Sequence, residues 1–279
     1  MNVVDDLERI RMVGSAYRKT GRRVVLVPLG RAIHAGHLAL LQAARRIRGA
    51  VVVAAVPTEK TPEKLAETAA ANMAEEDTAA LEKAGVDVVW RYTPAAARTK
   101  VVAPDHGMED VTEDLTRIIS LVCALGPSDL IMGEKDYELL VAVQQACTDL
   151  HIGTRVQGVP PVRMPDGLVM SLRNAEVAPE AREQASALSA ALTAGAYAAE
   201  AGAEQVISVA TEVLRAAGVE AEYVELRGRD LGEPPAEGEA RLFVAATLGG
   251  VRLTDNVGVP LGIGFRNLEG YGEEHGEQE

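Results

Sequence analysis

Two imidazoles three residues apart, in His34-Ala35-Gly36-His37, follow a buried-looking apolar run and a Gly30-containing turn, and they open a stretch of helical periodicity. With 5 His and 26 Gly in 279 residues, chance supplies about 0.01 such tetrapeptides. Ring nitrogens and free backbone N–H groups at a helix N-terminus make an anion site, and the helix dipole adds roughly 0.3–1 kcal/mol of preference for negative charge. A nucleoside triphosphate is the guest this implies, because donors fixed around an α-phosphate stabilise the charge that gathers there during attack. A helix cap or a metal clip is the structural alternative for the same pair. A second group, Gly133-Glu134-Lys135-Asp136, also follows an apolar run. Lys135 is suited to phosphate and Asp136 to ribose hydroxyls, although such a run also describes ordinary solvated charges at a helix start. A third, Met170-Ser171-Leu172-Arg173-Asn174, is entered through the turn Pro165-Asp166-Gly167 and presents a hydroxyl beside a guanidinium fork.

Elements that end in the right places must carry these groups. Val24–Pro28, Ala50–Val56, Val86–Tyr92 and Asp129–Met132 are short runs rich in β-branched residues, the mark of parallel strands buried on both faces. His37–Arg48, Thr61–Ala84 and Val111–Leu125 space their apolar residues for helices between them, so the alternation predicts a doubly wound α/β sheet. Beyond about Pro161 the pattern becomes two Ala-rich helices, Pro179–Ala203 and Ala203–Ala217, followed by strands Ala221–Arg227, Arg241–Leu248 and Val251–Asp255. The expected division is therefore 1–161 and a smaller α+β domain, 162–279, with the acidic, Gly-rich end 267–279 disordered.

Composition narrows the function classes. Lys+Arg 28 against Asp+Glu 41 leaves a net charge of −13, which repels a long anionic polymer, so no nucleic-acid partner is expected. Aromatic residues make up 3%, too few for base-stacking platforms. No apolar run approaches the ~20 residues of a membrane span, and Met1–Arg23 is too charged for a signal peptide. Cys123 and Cys147 lie in apolar helical patterns without metal-like spacing, so both are expected as buried thiols of a cytoplasmic protein, and no protein-held metal is expected.

Taken together, VLVPLGRAIHAGHLAL, PSDLIMGEKDYELL, GVPPVRMPDGLVMSLRN, YVELR (Tyr223–Arg227) and VRLTDN (Val251–Asn256) resemble the pantoate–β-alanine ligase (pantothenate synthetase) family from about Arg22 to Asn256. The resemblance implies a Rossmann-like nucleotidylyltransferase domain with a small C-terminal lid domain, and a homodimer. It further implies an ATP-dependent ligase that activates a small carboxylic acid as an acyl-adenylate, releases pyrophosphate with the help of Mg²⁺, and passes the acyl group to a small amine or amino acid. Carried over by position, His34 and His37, with Gly36 between them, would hold ATP phosphates. Lys135, Ser171 and Arg173 would bind phosphate oxygens, Gly133 and Asp136 would face ribose, and Val162 and Met170 would lie at adenine.

The chain departs from the family pattern on the acid side. The family's T-M-G turn before the histidines reads Leu29-Gly30-Arg31, its N-P-x-Q-F segment gives way to Glu59-Lys60-Thr61-Pro62-Glu63, and the glutamine after G-E-K-D-Y is Leu139. No Gln occurs between Gln42 and Gln144, and Asp110–Asp114 replaces the family's H-F-x-G-V. Two lost hydrogen-bonding side chains at roughly 1–3 kcal/mol each predict an acid other than pantoate, with Arg31, Lys60 and Leu139 in its pocket and the stretches Thr58–Thr78 and Pro94–Asp114 lining it. A genuine pantoate ligase with a rebuilt pocket, a nucleotidylyltransferase and a nucleotide-binding protein are the alternatives.

Overall fold

In the computed structural model, residues 1–30, 32–58, 75–94, 98–171, 177–178 and 181–262 are described. They fall into two compact units, one holding Met1–Pro165 and the segment that begins at Val169, the other holding Asp166–Leu168 and the described residues from Val177 onward.

The first unit is a six-stranded, all-parallel sheet. Its strands are β1 (Asn2–Val4), β2 (Val24–Pro28), β3 (Val51–Pro57), β4 (Val88–Tyr92), β5 (Asp129–Gly133) and β6 (Arg155–Val159), in the order β1-β4-β3-β2-β5-β6. Helices α1 (Leu7–Lys19), α2 (Ala35–Arg46), α3 (Glu75–Lys83), α4 (Thr112–Leu125) and α5 (Tyr137–Asp149) alternate with them. The expected α/β architecture is observed, and β2–β5 are buried nearly throughout, which is why they read as continuous apolar runs. From β2 the chain moves outward through β3 to β4, then returns to place β5 on the other side of β2. The strand order therefore reverses between β2 and β5, the place where open α/β sheets bind ligands at their carboxyl edge.

The amino edge is fastened by side chains. Asp129, fully buried at the start of β5, accepts hydrogen bonds from Arg23 Nε (3.1 Å) and Nη2 (2.5 Å), Ser128 Oγ (2.8 Å) and Gln157 Nε2 (3.1 Å). Asp87 Oδ2 likewise accepts from Val52 N (2.8 Å) and Arg45 Nη1 (3.2 Å). Below them α1 crosses the end of α4 at Gly14, where a Cβ would overlap the Leu125 carbonyl oxygen. Arg18 Nη1 donates to the carbonyls of Leu125 (2.5 Å) and Gly126 (2.7 Å), covering acceptors the end of a helix leaves open.

The second unit packs α6 (Arg182–Tyr197) and α7 (Ala203–Ala216) on an antiparallel sheet in the order β7 (Tyr223–Gly228), β8 (Gly238–Leu248), β9 (Val251–Leu261). Leu188, Leu192, Val206 and Leu214 of the helices meet Leu242 and Val244 of the sheet in its core. This is the α+β pattern expected from two helices followed by three strands.

Three differences from the sequence reading have physical causes. Strand β1, helix α1 and strand β6 carry weak signals, because β1 has three residues at a sheet edge and β6 is exposed or half-exposed along its length. Cys147 is buried as expected, but Cys123 is exposed, because α4 turns Leu121, Val122 and Leu125 inward and leaves position 123 on the opposite side. The first part of the expected helix Thr61–Ala84 and the acidic end 267–279 lie outside the described residues. Among the described residues no helix is long and apolar enough to cross a membrane.

Candidate active site

The loop leaving β2 and the first turn of α2 form the centre of the site. His34 is the N-cap of α2, and its Nδ1 accepts a hydrogen bond from Gly36 N at 3.1 Å. The helix-cap alternative is thus true of one ring nitrogen, and it fixes the tautomer: Nε2 carries the proton and is available as a donor. His37 stacks on His34 with ring centroids 3.8 Å apart and 24° between planes. Its Nε2 accepts from Gly30 N at 3.3 Å, which leaves the proton on Nδ1. That Nδ1 is the one buried side-chain polar atom that completes no hydrogen bond among the described residues. The two glycines are there because the backbone passes close to the rings: a Cβ at Gly36 would stand 2.9 Å from His34 Cε1, and one at Gly30 would stand 3.2 Å from His37 Cε1.

Burial and neighbouring positive charge keep both imidazoles uncharged at neutral pH. Desolvation pushes His37 down to about 4, helped by the neighbouring His34 and opposed by the Ala32 carbonyl and Asp77. His34 is lowered first by burial and then by the ammonium of Lys135. The interaction with Lys135 shows that the loop after β5 and the loop after β2 meet, as the strand order requires. Lys135 lies in the single 3₁₀ turn Glu134–Asp136 between β5 and α5, and its Nζ is 3.1 Å from Asp136 Oδ1. Two neutral N–H donors, an ammonium and the amides at the start of α2 suit phosphate oxygens.

Gly133 ends β5 opposite Val159 of β6, and Val162 follows three residues beyond. The Val162 carbonyl accepts from Met170 N at 2.8 Å, and an antiparallel bridge pairs Arg163 with Val169, so the two expected adenine neighbours are joined in one short hairpin. Ser171 is described directly after it, whereas Arg173 lies outside the described residues, as do Arg31 and Lys60. Leu139 is buried in the first turn of α5.

Two residues went unread in the sequence. Asp77, at the start of α3, accepts from Ile33 N at 3.0 Å and so ties down the loop that aims the histidines. Its contact spans 44 positions, and no local pattern announces it. Glu138 is the other: a carboxylate on α5 next to Leu139, almost fully buried. An acidic residue inside the otherwise apolar run from Tyr137 to Val143 was the available signal.

The family model described as Pantoate-beta-alanine ligase matches residues 2–258. A pantothenate synthetase of Corynebacterium jeikeium (strain K411) is 43% identical over 289 residues, covering 97% of this chain and 94% of the relative. One from Mycobacterium sp. (strain JLS) is 41% identical over 280 residues, covering 94% and 89%. The crystal structure of pantothenate synthetase from Thermus thermophilus superposes with a TM-score of 0.76 at 28% identity, covering 92% of this chain and 99% of that one. Histidine pair, G-E-K-D turn and two-unit architecture all fall inside the matched range, and the chain belongs to the pantoate–β-alanine ligase family, a family of AMP-forming amide ligases.

Proposed function

We propose that this enzyme activates a small carboxylic acid with ATP as an acyl-adenylate and transfers the acyl group to a small amine, and that the acid differs from pantoate. The observation that carries the nucleotide half is the stacked, uncharged His34–His37 pair facing the Lys135 ammonium at the point of strand reversal. In this reading the Nε2–H of His34, the ammonium of Lys135 and the amides of α2 bind phosphate oxygens, and His37 supports the His34 ring. The acceleration comes from donors already in place as charge shifts on the α-phosphate. Ser171 and Arg173 add contacts to the phosphates, Gly36 permits their close approach, Gly133 and Asp136 serve ribose, and Val162 and Met170 serve adenine. Mg²⁺ enters with ATP, since the donor set here suits anions; it would neutralise phosphate charge. An ATP-binding domain over residues 1–161 with a lid over 162–279, a homodimer and a cytoplasmic location complete the proposal.

The acid half rests on what the sequence lacks. With no Gln between Gln42 and Gln144, and with a buried Leu139 after G-E-K-D-Y, the side chains that the family resemblance gives to pantoate are missing, and Arg31 and Lys60 are the candidate replacements. A second reading, pantoate in a rebuilt pocket, is favoured by identities of 43% and 41% to proteins named pantothenate synthetase. ATP–pyrophosphate exchange with a panel of small acids, pantoate included, decides between them. The first reading expects exchange with another acid at least tenfold above that with pantoate. Exchange with pantoate alone establishes the second.

A further inference from the structure

Helix α4 begins at the carboxyl edge, because a helix that links two parallel strands starts where the first of them ends. Arg117, in its second turn, lays a guanidinium against the end of β4. Nη1 donates to the Tyr92 hydroxyl at 2.9 Å, while Nε (3.1 Å) and Nη2 (2.6 Å) donate to Asp114 Oδ1. A guanidinium carries five N–H donors, so among the described residues one N–H on each Nη is left over. Tyr92 is 6% exposed, and its hydroxyl, having accepted from Arg117, meets no acceptor for its own proton among the described residues. A cation and a phenol thus bring spare donors to one place and lack an anion to receive them. The Arg117 side chain is 29% exposed, so a small molecule can reach it. Asp114 holds the Nε side of the fork, and its 59% exposed carboxylate is screened by water, which leaves the Nη1 side its pull on an anion.

The sheet joins this place to the histidine loop by an apolar row. Tyr92 pairs with Pro57 of β3, and Pro28 of β2 pairs with Ala55, two residues before Pro57. Register partners and alternate residues share a face, so Tyr92, Pro57, Ala55 and Pro28 lie on one face of the sheet. Apart from the phenol, none of these side chains carries a charge or a donor. Neighbouring strands stand about 4.8 Å apart, which puts the ends of β4 and β2 roughly 10 Å from each other. An acid lying across the row would have one end beside His34 and Lys135 and the other beside Arg117 and Tyr92. Donors at both ends of an apolar floor suit a short carbon chain with an anion at each end, whereas a neutral far end would leave the half-buried guanidinium without a match.

Resting on the ligase reading above, we infer that Arg117 and the Tyr92 hydroxyl hold a second carboxylate at the far end of the acid, so that the acid activated here is a small dicarboxylate. Pantoate, with a single carboxylate, offers them no such partner.

The test is ATP–pyrophosphate exchange in the full-length enzyme with malonate, succinate and glutarate, each beside its own monoamide, and with pantoate. A monoamide keeps the length and the reacting carboxylate and loses only the far charge. In the parent, at least one dicarboxylate should exceed both its monoamide and pantoate tenfold or more in kcat/KM. Arg117→Gln should bring the ratio of dicarboxylate to monoamide within threefold of unity, chiefly by raising the KM of the dicarboxylate, as for loss of a charge-assisted hydrogen bond. Arg117→Lys should keep part of the ratio. Tyr92→Phe removes a single oxygen from a buried side chain and should lower the ratio by about three- to tenfold, so it reads the same contact even if Arg117→Gln fails to fold. Equal losses with dicarboxylate and monoamide leave the ratio unmoved, the signature of a merely structural role. That result in every variant that folds overturns the inference. So does exchange in the parent that is no better with any dicarboxylate than with its monoamide or with pantoate, and in both cases the ligase reading stands. Absence of exchange in the parent with every acid overturns the ligase reading itself, and this proposal with it.

Discussion

The two edges of the parallel sheet treat buried polar groups in opposite ways. At the amino edge, the carboxylates that hold strands together are saturated: Asp129 with Arg23, Ser128 and Gln157, and Asp87 with Arg45 and the Val52 amide. At the carboxyl edge, among the described residues, the buried Nδ1 of His37 completes no hydrogen bond. Unsatisfied buried groups cost stability, so a fold tolerates them where a bound molecule completes them. The chain finishes one edge, and under the proposed function the substrates finish the other.

That contrast breaks if mutations at the two edges have the same signature. The largest effect is expected at the carboxyl edge. Lys135→Ala should lower acid-dependent pyrophosphate exchange by ~10²–10³-fold, as for loss of a donor to developing charge, while the denaturation midpoint stays within about 0.5 kcal/mol. A loss below tenfold would remove Lys135 from the transition state. At the amino edge, Asp129→Ala should do the reverse. It strands the Ser128 and Gln157 donors and unpairs Arg23, whose 41% exposed side chain can turn to water, so the cost is about 2–3 kcal/mol in urea unfolding. Exchange per folded molecule should be unaffected, and a matching loss of activity would mean that the two edges are coupled.

How much of this was legible in the sequence follows from the range of each interaction. The strands β2 to β5 and the helices between them announce themselves through burial on both faces and helical periodicity, which are local properties. So does His34-Ala35-Gly36-His37, whose capping bond spans two residues. β1, by contrast, exists because Val3 pairs with Val89, and nothing in three residues encodes a partner so far along the chain. Asp77 holds the histidine loop from 44 residues away. Cys123 shows the converse error: an apolar residue within an apolar pattern still falls on the outer side of α4 when its neighbours fill the inner one.

The smallest predicted effect tests the same contrast through protons. His37 titrates at about 4 in the folded chain against 6.5 when unperturbed, chiefly because burial penalises its charged form. Between those values the unfolded chain binds a proton that the folded chain refuses, so stability is fully present above pH 6.5 and drains away as the pH falls towards 4. His34 is shifted in the same direction and adds to the slope. Glutamine at position 37 offers Gly30 N–H an acceptor but cannot take up a proton. His37→Gln should therefore lose stability at pH 7.5 yet lose less on going to pH 5, narrowing the Tm interval between the two by a few degrees, at about 2–4 °C per kcal/mol for a protein of this size. If the interval is unchanged, the imidazole is not desolvated in solution, and the contrast between the two edges falls. If it narrows, adding ATP to the parent should narrow it as well, because phosphate charge beside the rings lets them keep the protons that burial alone rejects.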